Sequence, residues 1–303
     1  MNRIAVIDLG TNICNLLIAE YNGSGHKILY QGKETVQMGR GGIHKNLITT
    51  DGAQRAVQAI LKHQQKIAHF DANTVIAIAT SAVRDAGNRD EFCCTILSET
   101  GVPLQVISGE REAELIFKGT LLAFGDQPGH SLILDIGGGS NEFILCDEGE
   151  IRWKESFPLG VARIIELFPL SDPVTNAEIA AIRNYFEKNM GPLWAAVRGQ
   201  KPDQLIGCSG AFDTIADLLD GTEPDTKLRT QQEIPLNGFQ QIYEQLIRST
   251  TAEQLQMKGL EPLRMKMIIS AVILIDLVLK KTGLPKIVQT GYALREGVLY
   301  ELI

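Results

Sequence analysis

Two short segments of this 303-residue chain carry one chemical pattern. Ile4-Ala5-Val6-Ile7-Asp8-Leu9-Gly10-Thr11-Asn12 is echoed, 127 residues further on, by Leu132-Ile133-Leu134-Asp135-Ile136-Gly137-Gly138-Gly139-Ser140. In each copy an apolar run ends in Asp-x-Gly and small polar residues. Glycine permits close approach and unusual backbone angles, so such a turn leaves consecutive amide N–H groups pointing at an anion. Phosphate is the natural tenant. Asp8, Gly10, Thr11 and Asn12 in the first copy, and Gly137, Gly138, Gly139 and Ser140 in the second, are therefore candidate phosphate-binding residues. One Asp-x-Gly alone reads as a tight turn. Two, each heading the same strand pattern, read as paired phosphate loops. A carboxylate at such a strand end suits a hard divalent ion, Mg²⁺ above all, held directly or through water.

Further candidates lie between and after these loops. Gly207-Cys208-Ser209-Gly210-Ala211 follows a short apolar run and opens a helix, whose free N–H groups attract anions, so Ser209 and Gly210 join the phosphate set. It is no nucleophile elbow, because G-x-S-x-G fails at Ala211. Thr80-Ser81-Ala82-Val83-Arg84-Asp85 follows a buried strand, which sets Arg84 near the strand's carboxyl end, able to clamp a phosphate or, more blandly, to pair with Asp85 or Asp90. In Ser108-Gly109-Glu110-Arg111-Glu112-Ala113-Glu114 only Glu112 shares a helix face with Leu115, Ile116 and Gly119, so it points inward, where a carboxylate can serve as general base. Glu114 is expected to pair with Lys118 at i,i+4. P-loop, Rossmann and zincin signatures are absent, and His26, His44, His63, His69 and His130 are scattered without ligand spacing.

The elements that must hold these residues follow from the pattern around them. After each Asp-x-Gly loop comes a second strand, Leu16 to Ala19 or Phe143 to Cys146, then a turn, Asn22-Gly23-Ser24-Gly25 or Asp147-Glu148-Gly149-Glu150, and a third strand. A helix capped by Thr50-Asp51 and a strand from Thr74 to Ala79 come next, followed by a strand from Leu104 to Ile107 and a helix that Ser108 caps and that reaches Phe124. In the second half, Thr175-Asn176-Ala177-Glu178 is a capping box. Leu205-Ile206 is a short strand, and helices are expected over Gly210 to Leu219, Asn237 to Arg248 and Pro262 to Lys281. A strand from Ile287 to Gln289 and a helix from Ala293 to Leu302 close the chain. Strands broken by helices of this length point to α/β lobes, and a duplicated hairpin to duplicated lobes.

The bulk numbers narrow the setting. The length suits two cores, and 44% hydrophobic with 21% charged residues, without low-complexity tracts, excludes disorder. The net charge of −7 opposes non-specific nucleic-acid binding, so a polyanionic ligand needs a local site. No signal peptide is seen at the N-terminus, and Met267 to Leu279, the most apolar stretch, is too short to span a membrane and reads as a buried helix. Cys14, Cys93, Cys94, Cys146 and Cys208 form no CxxC pair and suit a reduced, cytoplasmic protein.

With both Asp-x-Gly loops, Thr-Ser-Ala-Val-Arg-Asp-Ala, Ser-Gly-x-x-Glu-Ala and Asp-Ile-Gly-Gly-Gly-Ser in order, the chain resembles the exopolyphosphatase/guanosine pentaphosphate phosphohydrolase (Ppx/GppA) family. Ser156 to Arg163, Gly207 to Ala211 and Ala293 to Leu299 extend the likeness along essentially the whole chain. The resemblance implies two RNase H-like lobes of the actin/hexokinase/heat-shock-ATPase superfold. One would comprise residues 1–121 with the C-terminal 289–303, the other 122–288, with the site in the cleft between them. It further implies that Glu112 activates a water, that Arg84 lies beside the transferred group, that Asp135 and Glu142 hold Mg²⁺ or another divalent cation, and that polyphosphate or guanosine pentaphosphate is the substrate. A homodimer is left open. The chain departs from the family at Ile13, Gln37, Asn141 and Lys266, where serine, arginine, threonine and an acid are common. It also ends without the further helical domains of longer members, so short substrates cut distributively are expected. A kinase or ATPase of the same superfold, and a non-catalytic polyphosphate or alarmone sensor, are the alternative readings.

Overall fold

The computed structural model describes residues 2–22, 25–125, 128–224, 226–227 and 229–303. Gly23 and Ser24 of the first expected turn lie outside the described residues. The first half runs β1 (Asn2–Leu9), β2 (Ile13–Asn22), β3 (Gly25–Thr35), α1 (Thr50–His69), β4 (Thr74–Ala79), α2 (Ser81–Arg84), α3 (Arg89–Thr100), β5 (Gln105–Val106) and α4 (Gly109–Phe124). The second half begins β6 (Ser131–Ile136), β7 (Asn141–Asp147), β8 (Glu150–Phe157), α5 (Val161–Leu167), α6 (Asn176–Asn189), α7 (Gly191–Gln200), β9 (Gln204–Cys208) and α8 (Ser209–Asp220). It closes with β10 (Gln232–Ile234), α9 (Leu236–Arg248), α10 (Thr251–Gln254), α11 (Met265–Thr282), β11 (Ile287–Thr290) and α12 (Leu294–Tyr300).

The repeat read from the sequence is a repeat of topology. The first sheet has the order β3-β2-β1-β4-β5, with the three-strand meander antiparallel and β4 and β5 parallel to β1. The second has β8-β7-β6-β9-β11 in the same arrangement, with β10 added antiparallel at its edge. Each half is thus an RNase H-like α/β unit, the doubled architecture of the actin and hexokinase superfold.

Central strands that are apolar on both faces need a cover on each side. In β1, Ala5 and Ile7 pack with Ala56, Val57 and Ile60 of α1 and Phe92 and Ile96 of α3. Ile4 and Val6, one residue out of phase, face α4 and α12. That helix pair also receives Ile133, Ile144 and Ile206 from the second sheet, so α4 and α12 are the layer shared by the two halves. Their backbones approach closely: a Cβ on Gly119 would run into the Ala293 carbonyl, and one on Gly297 into that of Leu115. On its far side the second sheet buries Leu132, Leu134, Phe143 and Leu145 against a cluster that includes Phe186, Phe212 and the apolar face of α11. Among the described residues no helix is long and apolar enough to cross a membrane, and α11 is the buried helix expected.

Several local expectations are corrected. Thr49, not Thr50, caps α1, its side chain accepting from the Gly52 N–H. Glu114 reaches Arg111 and Lys154, while Lys118 pairs with Glu301, the residue that ends α12, a stronger lure than its helix neighbour because α12 packs directly alongside. Pro262–Arg264 forms a 3₁₀ turn before α11, and the last helix ends at Tyr300. Asp90 pairs with Arg89 rather than Arg84.

Candidate active site

The loops after β1 and β6 open into one cleft of about 740 Å³. Asp8, Gly10, Thr11, Asn12, Glu112, Asp135, Gly137, Gly138, Gly139, Ser140, Glu142, Ser209 and Gly210 all line it. Arg84 stands just behind this wall, reaching the Glu112 Oε2 at 2.6 Å and the Ser140 Oγ at 3.4 Å. Residues spread over two-thirds of the chain converge because both sheets aim the carboxyl ends of their central strands at the same gap.

The two loops are built alike. Gly10 N–H donates to the Ile13 carbonyl at 3.0 Å, and Gly137 N–H to the Ser140 carbonyl at 3.0 Å. In each half the segment following the third strand then draws the loop carbonyls away from the cleft. Met38 N–H binds the Thr11 carbonyl at 2.8 Å, and Val36 N–H that of Asn12 at 2.8 Å. In the second loop, Val161 N–H binds the Gly137 carbonyl at 3.0 Å, Ala162 N–H that of Gly138 at 2.8 Å, and Gly160 N–H that of Gly139 at 3.2 Å. In a trans peptide the N–H points opposite to its C=O. Pinning the carbonyls of 137, 138 and 139 toward α5 therefore turns the N–H groups of Gly138, Gly139 and Ser140 the other way, as an anion nest. The two loops meet there: a Cβ on Gly139 would strike Ser81 Oγ and lie 2.7 Å from Thr11 Oγ1. A third contribution is Ser209, held with φ 67° at the start of α8. A serine kept in the left-handed region costs on the order of 1–3 kcal/mol, and such strain gathers at functional sites.

One difference between the repeats decides the electrostatics. Asp8 lies opposite Asn15 across the β1–β2 hairpin, and Asn15 Nδ2 donates to its carboxylate at 3.0 Å. Asp135 lies opposite Glu142 at the equivalent pair. Two carboxylates facing each other across strands repel. Burial first, and then Glu142, push Asp135 up to about 7, against a hydrogen bond from Ser209. Glu142 is raised by burial as well, although Ser140 and Ser156 donate to it, Ser156 Oγ at 2.6 Å. Buried oxygen ligands in such a state fit a hard cation. Among the described residues no group of three or more His, Cys, Asp or Glu side chains forms a metal cage. Asp135 and Glu142 could thus supply two ligands and leave the remainder to phosphate and water, the usual habit of Mg²⁺.

Glu112 sits in the first turn of α4, which Ser108 caps by accepting from the Arg111 N–H at 3.1 Å. Burial raises its carboxyl well above the ordinary range, Glu142 adds to this, and Arg84 opposes it. The result is a buried carboxylate beside a guanidinium, poised to take a proton.

Reading residues alone missed several neighbours. Asn15, and the place of Ser156 beside Glu142, become visible only through strand register. Ser81, at the start of α2, borders the second loop at Gly139 and lines the cleft. Asp213, on α8 inside the cleft, is raised by burial and accepts from Gln289 Nε2 at 2.7 Å. Of the family departures, Ile13 and Gln37 line the cleft, Asn141 is buried with its Nδ2 on the Leu159 carbonyl at 2.8 Å, and Lys266 is exposed.

Known proteins supply the comparison. The family model described as Ppx/GppA phosphatase family matches residues 17–303. Exopolyphosphatase 1 of Mycobacterium leprae is 27% identical over 299 residues, covering 98% of this chain and 88% of that protein. A crystal structure of an exopolyphosphatase from Cytophaga hutchinsonii is 38% identical, with TM-score 0.94 over 99% of this chain and 97% of that one. The Aquifex aeolicus PPX-GPPA enzyme, 24% identical, shares the fold with TM-score 0.82 over 99% of both chains.

Proposed function

The chain belongs to the Ppx/GppA phosphatase family and is a phosphohydrolase, and from that premise we propose that it releases the terminal phosphate of inorganic polyphosphate by attack of a water activated by Glu112. The observation that carries this reading is the meeting of two phosphate-type loops with one buried carboxylate–guanidinium pair in a single cleft. The terminal phosphate sits among the N–H groups of Gly138, Gly139 and Ser140, with Thr11, Asn12, Ser209 and Gly210 around the chain that follows. Glu112 takes a proton from the attacking water as its oxygen bonds to the terminal phosphorus. The bridging P–O bond breaks, and its electron pair leaves with the shortened polyphosphate. Arg84 opposes the burial that raises the Glu112 carboxyl, orients it, and lies beside the transferred group. A divalent cation such as Mg²⁺, held by Asp135 and Glu142, would neutralise charge on the phosphate oxygens. Catalysis then rests on positioning and charge, with no covalent intermediate.

Pentaphosphorylated guanosine is the second reading. It is favoured by Ile28 and Leu263 on the cleft wall, accessible apolar side chains with no use for an inorganic chain. For polyphosphate, short chains cut distributively are proposed. Gln37 gives the cleft a neutral side chain, and Lys33 and Arg264 both already bind Glu261, each at 3.1 Å. The lobes proposed are 2–125 with 291–303, and 128–290, since boundaries at 121 and 288 would cut α4 and β11. The free cysteines suit the cytosol. The test is phosphate release, with Mg²⁺ and no acceptor, from tripolyphosphate, long polyphosphate and guanosine pentaphosphate. Absence of release from all three would remove the proposal, and dependence on an acceptor would turn it toward a kinase.

A further inference from the structure

Arg163, on α5, lies outside the cleft wall yet bridges its second loop to the first half of the chain. Its side chain is 13% exposed, and all three of its guanidinium nitrogens are engaged. Nε donates to the Gly139 carbonyl at 2.9 Å, adding to the bonds that turn the second loop's N–H groups toward the cleft. Nη1 reaches the Ile43 carbonyl at 3.3 Å, and Nη2 pairs with Asp85 Oδ2 at 2.6 Å, both in the first half of the chain. Asp85 is also next to the catalytic pair. Its other oxygen lies 3.6 Å from Arg84 Nε, while Arg84 Nη1 is on Glu112 at 2.6 Å.

Arg84 therefore stands between two carboxylates, and which one holds it depends on what else neutralises them. With Arg163 in place, Asp85 has a close partner and touches Arg84 only at long range. Without Arg163, the 30% exposed Asp85 carboxylate keeps only the 3.4 Å hydrogen bond from Ser81 Oγ and the distant Arg84, and a guanidinium is drawn to the less satisfied anion. Arg84 would then rotate toward Asp85, away from Glu112 and Ser140.

We propose that Arg163 is a positioning residue, the counter-ion that keeps Asp85 from capturing Arg84 while it fixes the Gly139 carbonyl behind the anion nest. The proposal rests on the function assigned to this cleft, and goes beyond it in naming a side chain that never meets substrate but sets where Arg84 points. Its signature is a rescue. Arg163→Met should lower kcat for tripolyphosphate about 30- to 100-fold, the cost of an oriented charged contact. Adding Asp85→Asn removes the competitor and should restore kcat at least fivefold, leaving the share lost at Gly139. Asp85→Asn alone should stay within a few-fold of wild type.

The experiment compares wild type, R163M, D85N and R163M/D85N by two readouts. One is kcat for phosphate release from tripolyphosphate. The other is calorimetric binding of tripolyphosphate to the metal-free proteins, in which Arg84 and the second loop take part without turnover. Expected is loss in R163M and partial recovery in the double variant, in both readouts. Wild-type kcat in R163M, or a double variant no better than R163M, would overturn the proposal, as would a loss confined to thermal stability. A wild type that binds tripolyphosphate but never hydrolyses it would sink the assigned function instead, and the binding series would still decide the role of Arg163.

Discussion

Gly160→Ala is a small change with a large expected consequence. A Cβ at Gly160 falls against the carbonyl carbon and oxygen of Gly138 and the carbonyl carbon of Gly139, all of them backbone atoms of the second loop. Carbon atoms sit comfortably about 3.5–4.0 Å apart, so the loop or α5 must retreat by roughly 1 Å. The bonds from 160, 161 and 162 that orient the loop would stretch, and the N–H groups of Gly138, Gly139 and Ser140 would lose their common focus. A hydrogen bond to a charged group contributes about 1.5–3 kcal/mol, so losing one lowers kcat/KM about 10- to 150-fold. The strain itself should lower stability by about 1–3 kcal/mol. Gly199→Ala in α7 is the matched control: its Cβ meets nothing within 4 Å, and the protein should gain about 0.4–1 kcal/mol with unchanged activity. Steady-state kinetics on tripolyphosphate and thermal melts of both variants make the comparison. If Gly160→Ala kept kcat/KM within about twofold of wild type, the second loop would not be the phosphate nest.

Other expectations follow from the same geometry. Asp135→Asn should shift the Mg²⁺ titration of activity to higher concentration, because an amide oxygen is a weaker ligand for a hard cation; an unchanged titration would leave Asp135 a partner of Ser209 only. His63 is buried, with Nε2 3.0 Å from the Cys14 carbonyl, and burial lowers its pKa below the ordinary 6.5. The unfolded chain therefore binds the proton first, so this group's contribution is complete above about pH 6.5 and is lost as pH falls toward the lowered folded value. Urea midpoints at two pH values on either side should fall more on acidification in wild type than in His63→Gln, and equal falls would refute the assignment. Partial digestion of long polyphosphate should shorten the whole population together on a gel; full-length polymer beside very short products would mean a processive grip.

What was legible in the sequence was what local chemistry encodes. The Asp-x-Gly loops announce themselves because a turn of that shape needs glycine at fixed offsets, and their duplication carried over to strand order, to the Gly10 and Gly137 turns and to the shared cleft. Glu112 was legible because helical spacing sets it on the face of Leu115 and Ile116, and it is buried as expected. Features that depend on distant partners were not. Helix α3 buries only Phe92, Ile96 and Thr100, a stripe too narrow to stand out in Arg89 to Thr100. Strand β10 is three residues whose pairing with β11 lies more than fifty residues away. The loop-turning role of 160–162 arises from a segment returning past β8 onto its own loop, and the grip of Arg163 on Asp85 from close approach between halves of the chain, and no local pattern encodes either.

The decisive measurement is phosphate release from tripolyphosphate by Glu112→Gln, alongside calorimetric binding of the same compound. Amide replaces carboxylate with little change in volume, so binding should persist while turnover falls by roughly 10² to 10⁴, the usual range for removing a general base. A folded variant that bound tripolyphosphate and kept more than about half of the wild-type rate would show that another group, and not Glu112, activates the water.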